Sequence, residues 1–233
     1  MTEALKQTQE QQSSSLCSKI PVQISCPAAF VFGPVVIQNY YSPPREKHMS
    51  THDSLIELTD TLIQQNGYQG FSYADLAETL GIRKASIHYH FQTKTDLGIA
   101  YCEYKKAGFL ALEATLQQLP AGKARLKGYM EAFLACADTG QMCGVYAMMS
   151  DCNLFEPPLQ EAVNRLAQTD LRILTAVLLS GKESGELFFS APAEDVAMIV
   201  ASSIKGALML NRIPPHDACI RTMKALEQLL CRV

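Results

Sequence analysis

The 233-residue sequence lacks the features that mark membrane and secreted proteins. No apolar run reaches the roughly 18 residues that a membrane-spanning helix needs, and the closest run, residues 196–210, contains Lys205. No basic segment is followed by an apolar stretch and a small-residue cleavage site, as a secretory signal would require. We therefore expect a cytoplasmic protein whose cysteines are mostly free thiols.

The short motifs of common metal sites and enzymes are also missing. The eight cysteines form no C-x-x-C pair and no repeated short spacing, which disfavours a zinc cage. No H-E-x-x-H, G-x-S-x-G or glycine-rich phosphate loop is present, and no carboxylate pair has an informative spacing. We therefore expect a protein that is not an enzyme and that holds no metal or cofactor.

A strong excess of charge of one sign is absent as well. The formal net charge is −3, which argues against a polybasic binder of nucleic acids or membranes, although a basic patch can lie on an acidic protein. Apolar residues make up 48% of the chain, enough to bury a substantial core. Strict alternation of apolar and polar residues, the mark of strands, does not occur, and helical periodicity dominates from Ser50 onward.

Residues 1–48 differ in composition from the rest of the chain. A polar, low-complexity opening leads to an apolar stretch that is interrupted by prolines. Because of these prolines, the stretch can form neither a long helix nor a central strand. Three interpretations stay open. The segment is an arm that binds a partner, a disordered tail, or the product of an over-long gene assignment whose true start is Met49.

Helix start and stop signals then predict a sequence of short helices. A first helix ends at Asn66-Gly67, a capping box opens a second helix at Ser72, and Gly81 ends that helix. A third short helix runs from about 83 to 90. Thr93 is placed to cap a long fourth helix.

Breakers divide the remainder into amphipathic stretches of helical length. We predict helices at about 94–118, 123–138, 141–152, 157–184, 193–211 and 216–231. The predicted fold class is therefore all-α. A three-helix head of the helix-turn-helix type occupies residues 49–95, and a larger helical body occupies residues 96–233.

The stretch RKASIHYHFQTK, residues 83–94, concentrates the positive charge of the head. No acidic residue lies between Gly81 and Thr95, although the head as a whole is acidic. Cations near a helix N-terminus oppose the helix dipole by about 0.3–1 kcal/mol each, so Arg83 and Lys84 are unfavourable for stability alone. A DNA phosphate group near this helix end would attract both cations and make their position favourable. A solvated basic face is the alternative interpretation.

The two histidines of this stretch do not form an obvious metal site. Side chains two residues apart on a helix point about 200° apart, whereas a shared ion needs neighbours three or four residues apart. His88 and His90 therefore cannot readily bind one metal ion together. Phe91 is expected in the core of the head, because Ile87 lies four residues earlier on the same face.

The string GIRKASIHYHFQTKTDLG resembles the recognition-helix signature of the TetR family of transcriptional regulators, and the similarity covers about residues 50–98. The resemblance implies a repressor that binds a palindromic DNA operator as a homodimer and is released by a small-molecule inducer. Two positions depart from the family pattern. Arg83 stands where a serine or threonine cap is frequent, and His88 stands where tyrosine is usual.

Carried over position by position, the resemblance implies nine DNA-binding residues. Those expected on the phosphate backbone are Ser72, Tyr73, Lys84, Tyr89 and Lys94. Those expected on base edges or nearby phosphates are Arg83, Ser86 and His88. The role of His90 stays open between a phosphate contact and a packed or capping position.

For the body, the resemblance implies dimerisation through the last two helices and a ligand site between the middle helices. Apolar and small residues at helical spacing in 196–208 and 220–230 support the dimer, with an intrachain core as the alternative. Methionines suit an adaptable cavity for an apolar or electrophilic effector, with plain core packing as the alternative. The candidate ligand-binding residues are Tyr129, Phe133, Met142, Cys143, Tyr146, Met148 and Met149.

Two other functions stay open. An electrophile or oxidant could modify Cys136, Cys143 or Cys152 and so release DNA, with buried, inert cysteines as the alternative. Residues 1–48 and the departure at His88 leave room for a protein-interaction module that has lost DNA binding.

Overall fold

The computed structural model describes residues 50–231, and the interpretations of residues 1–48 lie outside this range. Within the range the chain is built of α-helices with two short 3-10 turns, which confirms the predicted all-α class. The only extended pairing there is a single bridge between Leu187 and Cys231. No helix between residues 50 and 231 is long and apolar enough to span a membrane.

Three short helices form the head, and their ends follow the signals in the sequence. The helices are α1 (Thr51–Asn66), α2 (Tyr73–Leu80) and α3 (Lys84–His90). The Ser72 hydroxyl caps α2 in a capping box with Asp75, and Gly81 ends α2 in the left-handed conformation with φ of 64°. Ile87 and Phe91 are buried in the head, as predicted, so α3 is held by its inner face.

Seven further helices form the body, and the longest of them is central. They are α4 (Lys94–Gln118), α5 (Lys123–Glu131), α6 (Leu134–Asp138), α7 (Gly144–Ser150), α8 (Pro157–Glu183), α9 (Ala193–Leu210) and α10 (Ala218–Leu230). Helix α8 packs against α4, α5, α7 and α9. Buried apolar side chains run as one cluster from the head into the body, so α4 belongs to both cores.

The prediction of one helix over 123–138 is wrong, because the chain turns at Ala132 and Phe133 between α5 and α6. The amide of Phe133 bonds to the carbonyl of Met130 at 3.1 Å, which tightens the turn. The turn directs the Phe133 ring inward, where only 1% of the residue is exposed.

The predicted helix at 141–152 begins late, at Gly144. Gly140 has a φ of 65° and ends α6 with bonds from its own amide and that of Gln141 to earlier carbonyls, the Schellman pattern. The next amide, that of Met142, bonds to the carbonyl of Gln64 in α1 at 2.8 Å. Cys143 is extended, with ψ of 122°, so α7 begins only at the residue after it.

The cap of α4 provides a test of the helix signals. Thr93 accepts a hydrogen bond from the amide of Asp96 at 3.1 Å, and Asp96 accepts one from the amide of Thr93 at 2.9 Å. We expect Thr93→Ala to lower the free energy of unfolding by about 1 kcal/mol in urea titrations. Thr115→Ala, inside the same helix, should change it by a few tenths in the stabilising direction. Equal losses for both variants would contradict the capping role.

Candidate nucleic-acid interface and buried polar core

Helix α3 turns a polar and basic surface toward solvent. Its inner residue Ile87 is fully buried, whereas Arg83, Lys84, Ser86 and Tyr89 are exposed. The side chain of Tyr89 is 85% exposed, so it contributes little to packing within the chain. We call these four exposed residues the recognition surface.

The two histidines of α3 have separate surroundings, as helix geometry predicts. The Nδ1 atom of the exposed His88 lies 3.1 Å from the carbonyl oxygen of Gln92, and its ring meets that of Tyr73 with centroids 5.0 Å apart. His90 is half-buried, and its ring faces His52 at 6.0 Å. Nowhere in residues 50–231 do three His, Cys, Asp or Glu side chains form a group that could hold a metal ion.

Ser72 and Tyr73 hold the parts of the head together. The Ser72 hydroxyl and amide both donate to a carboxylate oxygen of Asp75, which lowers the pKa of that carboxyl group. The Tyr73 hydroxyl donates to the carbonyl oxygens of Phe91 at 3.0 Å and Thr93 at 2.6 Å, and burial raises its pKa to about 12. Tyr73 therefore joins the start of α2 to the link between α3 and α4.

Lys94 is predicted on phosphate, and the structure uses its ammonium group inside the head instead. The Nζ atom donates to the carbonyl oxygens of Tyr68 at 2.6 Å and Phe71 at 2.5 Å. It also lies over both rings, 4.7 Å and 4.2 Å from their centroids. Burial lowers the pKa of Lys94. Lys94 thus fastens the first turn of α4 to the 3-10 turn that follows α1 and to the residue after that turn.

A buried polar group joins α1 of the head to α4 of the body. One carboxylate oxygen of Asp60 accepts a hydrogen bond from the Tyr101 hydroxyl at 3.1 Å, and the other pairs with Lys105 Nζ at 3.1 Å. Gly144, the first residue of α7, lies against this group, where a Cβ atom would collide with the Tyr101 hydroxyl. We call Asp60, Tyr101 and Lys105 the joint.

Gln64, one turn after Asp60, ties α1 to the segment between α6 and α7. Its backbone carbonyl accepts from the Met142 amide at 2.8 Å, and its side-chain oxygen accepts from Cys136 Sγ at 3.3 Å. The residue is 3% exposed. The head therefore contacts the middle of the body through α1 as well as through α4.

A second buried polar group lies among α5, α8 and α9. Lys205 Nζ donates to Asp170 at 2.6 Å and to the Tyr129 hydroxyl at 2.8 Å, and that hydroxyl donates to the second oxygen of Asp170 at 2.7 Å. Side chains of Lys205 and Asp170 are 0% and 3% exposed. Burial raises the pKa of Tyr129 well above its ordinary value. We call these three residues the lysine cluster.

The structure brings some of the candidate ligand-binding residues to the lysine cluster. The ring centroids of Phe133, Tyr129 and Tyr146 lie 4.4, 5.3 and 5.7 Å from Lys205 Nζ. Cys143 and Met148 are buried, and Met142 is half-buried. Met149 is 44% exposed, about 100° around α7 from the buried Met148, so its place in the ligand site stays a prediction.

Asp60, Gln64, Asp170 and Lys205 were not among the predicted site residues. Each is a polar residue at a position where its amphipathic helix needs an apolar one, and each is at least 95% buried. A buried charge is costly unless it is paired, so such a position is itself a signal. The partners on other helices cannot be identified from the sequence.

Many exposed apolar side chains lie on the outer face of the last two helices. Most of the stripe predicted for dimerisation, including Val200, Ile204 and Leu226, is intrachain core. The exposed apolar residues of α9, which are Met198, Ile199, Met209 and Leu210, lie within about 120° of one another around that helix, and Leu229 is exposed on α10. Ser202 and Gly206 are also exposed, and these two small residues lie in the middle of α9. We call this set of residues the outer face.

Part of the sequence is similar to known transcriptional regulators. The model of the family "Bacterial regulatory proteins, tetR family" matches residues 55–101. The fatty acid metabolism regulator protein of Bacillus subtilis is 24% identical over 146 residues, which cover 61% of this chain and 72% of that protein. The negative transcriptional regulator IcaR of the Staphylococcus aureus biofilm operon is 38% identical over 45 residues, 19% of this chain and about a quarter, 24%, of IcaR.

Solved structures match over a longer part of the chain. A TetR-family transcriptional regulator from Agrobacterium tumefaciens superposes with a TM-score of 0.73 at 25% identity, covering 78% of this chain and 97% of that one. A TetR transcriptional regulator from Legionella pneumophila gives a TM-score of 0.69 at 23% identity, with the same coverage. The similarity therefore includes the body as well as the head.

The surroundings of the thiols lead to a prediction about their reactivity. Burial raises the pKa of Cys143, an effect that the nearby Lys205 only partly offsets, and burial raises that of Cys102 to about 12. The thiolate is the reactive form, so both should be alkylated by iodoacetamide at pH 7 more than about tenfold slower than the half-buried Cys152. Their rates should rise with pH as thiolate forms. Peptide mass spectrometry checks the order, and equal rates would contradict it.

Proposed function

Because the chain belongs to the TetR family of helix-turn-helix transcriptional regulators, we propose that it is a ligand-responsive repressor that binds a palindromic operator as a homodimer. The observation that carries the proposal is the recognition surface. It is basic and solvent-facing, and the stretch from Gly81 to Thr95 that contains it has no acidic residue in a head that is otherwise acidic. The name of IcaR as a negative regulator supports repression rather than activation.

The proposed DNA contacts divide into direct and supporting residues. Arg83 and Ser86 are the candidates for base edges, and Lys84 and Tyr89 are the candidates for phosphates, because all four are exposed on α3 or at its N-cap. Ser72, Tyr73, His88 and Lys94 support this helix through the hydrogen bonds and ring contacts described above. His90, half-buried against α1, has a packing role in this proposal.

The outer face supports a homodimer through α9 and α10. Exposed apolar side chains on one face are costly in water, and small residues in the middle of α9 allow another helix to approach closely. A dimer is needed for function, since two recognition helices must reach major grooves about 34–36 Å apart. The outer face continues into a groove between α8 and α9 that Leu171, Leu179 and Met198 line.

Release by a ligand would use the joint and Gln64. A ligand that binds one arrangement of the body better than another shifts the population toward it by that difference in affinity. Helix α7 touches the joint at Gly144, and the segment before α7 is bonded to Gln64. A displacement of α7 would therefore reach α1 and change the distance between the two recognition helices.

The two alternative functions receive less support. A thiol sensor needs a reactive thiolate, and burial raises the pKa of Cys143. A protein that had lost DNA binding would have no partner for the exposed Lys84 and Tyr89 of α3.

Removal of one basic side chain tests the DNA interface. Duplexes selected from a random pool by the purified protein serve as the operator. We expect Lys84→Ala to reduce the slope of log affinity against log salt by about 0.9 for each phosphate that is no longer neutralised, or about 2 for a dimer. Lys127→Ala removes an exposed lysine on α5 and should leave the slope unchanged. Fluorescence anisotropy between about 50 and 200 mM salt measures both, and equal slopes for all proteins would reject the interface.

A charge on the outer face tests the dimer. Ile199 is 61% exposed on α9, and Leu154 is 72% exposed elsewhere on the body. We expect Ile199→Asp to produce monomers and to weaken operator binding by about 10²-fold or more, because two linked half-sites bind by avidity. Leu154→Asp should stay dimeric with unchanged affinity. Sedimentation velocity reports the mass, and a dimeric Ile199→Asp protein would exclude this face.

A further inference from the structure

The lysine cluster has one unused donor. Lys205 carries three ammonium protons, and two are donated, to Asp170 and to Tyr129. The described residues supply no hydrogen-bond acceptor for the third, and the ammonium group faces the ring of Phe133 at 4.4 Å. A cation held against an aromatic face is stabilised less than one with a full set of oxygen acceptors. An added oxygen atom at this position would complete the set of acceptors around the ammonium group.

Charge balance decides what kind of oxygen fits. Lys205 and Asp170 form a neutral pair, and both oxygens of Asp170 are occupied. A carboxylate or phosphate beside them would add an uncompensated negative charge in a site shielded from water, and an amine would meet the ammonium group. An uncharged acceptor, such as a carbonyl or hydroxyl oxygen, adds a hydrogen bond without adding charge.

The side chains and backbone around the cluster determine the rest of the ligand. Rings of Phe133 and Tyr146 flank the ammonium group, so the ligand body must be apolar and can be planar. Phe133 lies at the break between α5 and α6, and residues 139–143 are not helical. Fewer helical backbone bonds stabilise this wall, so it can open at lower cost than a continuous helix. Tyr146 and Met142, which are half-buried, are the residues around the cluster that reach the surface.

We propose that the lysine cluster binds the effector and that the effector is an uncharged, largely apolar molecule with a carbonyl or hydroxyl oxygen that accepts a hydrogen bond from Lys205. The proposal rests on the proposed ligand-responsive function and names its ligand class. Entry of the ligand displaces the Phe133 ring and the wall that Gln64 holds. The segment 139–143 would then be part of the ligand site and would also be bonded to the head through Gln64.

Three matched probes test the ligand class. 2-Acetylnaphthalene has a neutral carbonyl, 2-ethylnaphthalene lacks the acceptor, and 2-naphthoate carries a charge. Titration calorimetry on the full chain should show that the ketone binds about tenfold or more tightly than the hydrocarbon, the gain expected from a hydrogen bond to a charged donor. The carboxylate should bind more weakly than the ketone. Equal binding of ketone and hydrocarbon, preferred binding of the carboxylate, or no binding of the ketone would overturn the proposal.

A variant without the buried ion pair tests whether the lysine cluster causes the preference for the ketone. Lys205→Met alone leaves Asp170 buried without its partner and endangers folding, whereas Lys205→Met with Asp170→Leu removes the pair together. The double variant should bind ketone and hydrocarbon with a ratio near one. Lys127→Met, the same change on the surface of α5, should keep the wild-type ratio. Persistence of the full preference in the double variant would place the ligand elsewhere.

Operator binding is measured separately in the same preparations. A protein that prefers the ketone but binds no selected duplex would refute the regulatory function and leave the ligand class intact. A protein that binds the duplex but shows no preference among the probes would refute the ligand class and leave DNA recognition intact.

Discussion

The body of this protein is organised around one buried ion pair. Lys205 and Asp170 bring together α9 and α8, and Tyr129 adds α5. Withdrawing two charges from water is costly, and the cost is offset only if the geometry holds both groups in place. Three aromatic rings surround the ammonium group, and one of them, that of Phe133, lies at the break after α5. An apolar trio at these positions could pack as well, but it would not fix which atoms face each other.

A second set of polar contacts determines how the head is held. Lys94 and Tyr73 donate to backbone carbonyl oxygens in the links between helices. Asp60 joins α1 to α4. Recognition is thereby left to a few exposed side chains on a helix of seven residues. Tyr73 and Lys94, which hold the link around α3, are half-buried, whereas the four residues of the recognition surface are exposed.

Local signals predict the head well and the site only in part. The capping boxes at Ser72 and Thr93 and the stop at Gly81 depend on neighbouring residues, so the sequence contains them completely. The sequence does not reveal the internal role of Lys94, because its acceptors come from residues more than twenty positions away. The break at Phe133 and the pairs of Lys205 and Gln64 likewise depend on other helices, which periodicity cannot specify. Charged residues at apolar positions are the available hint.

The two hydrogen bonds accepted by Gln64 carry a consequence for the order of events in a protein that works as proposed. Coupling between two sites is reciprocal: whatever factor the effector removes from operator affinity, the operator removes from effector affinity. In that case a protomer bound to DNA would keep α1 in place, and the bonds to Gln64 would keep the wall beside Phe133 closed. The effector would then capture mainly molecules that have already left the operator. Induction would proceed at the pace of spontaneous dissociation, and the residence time on DNA would set its speed.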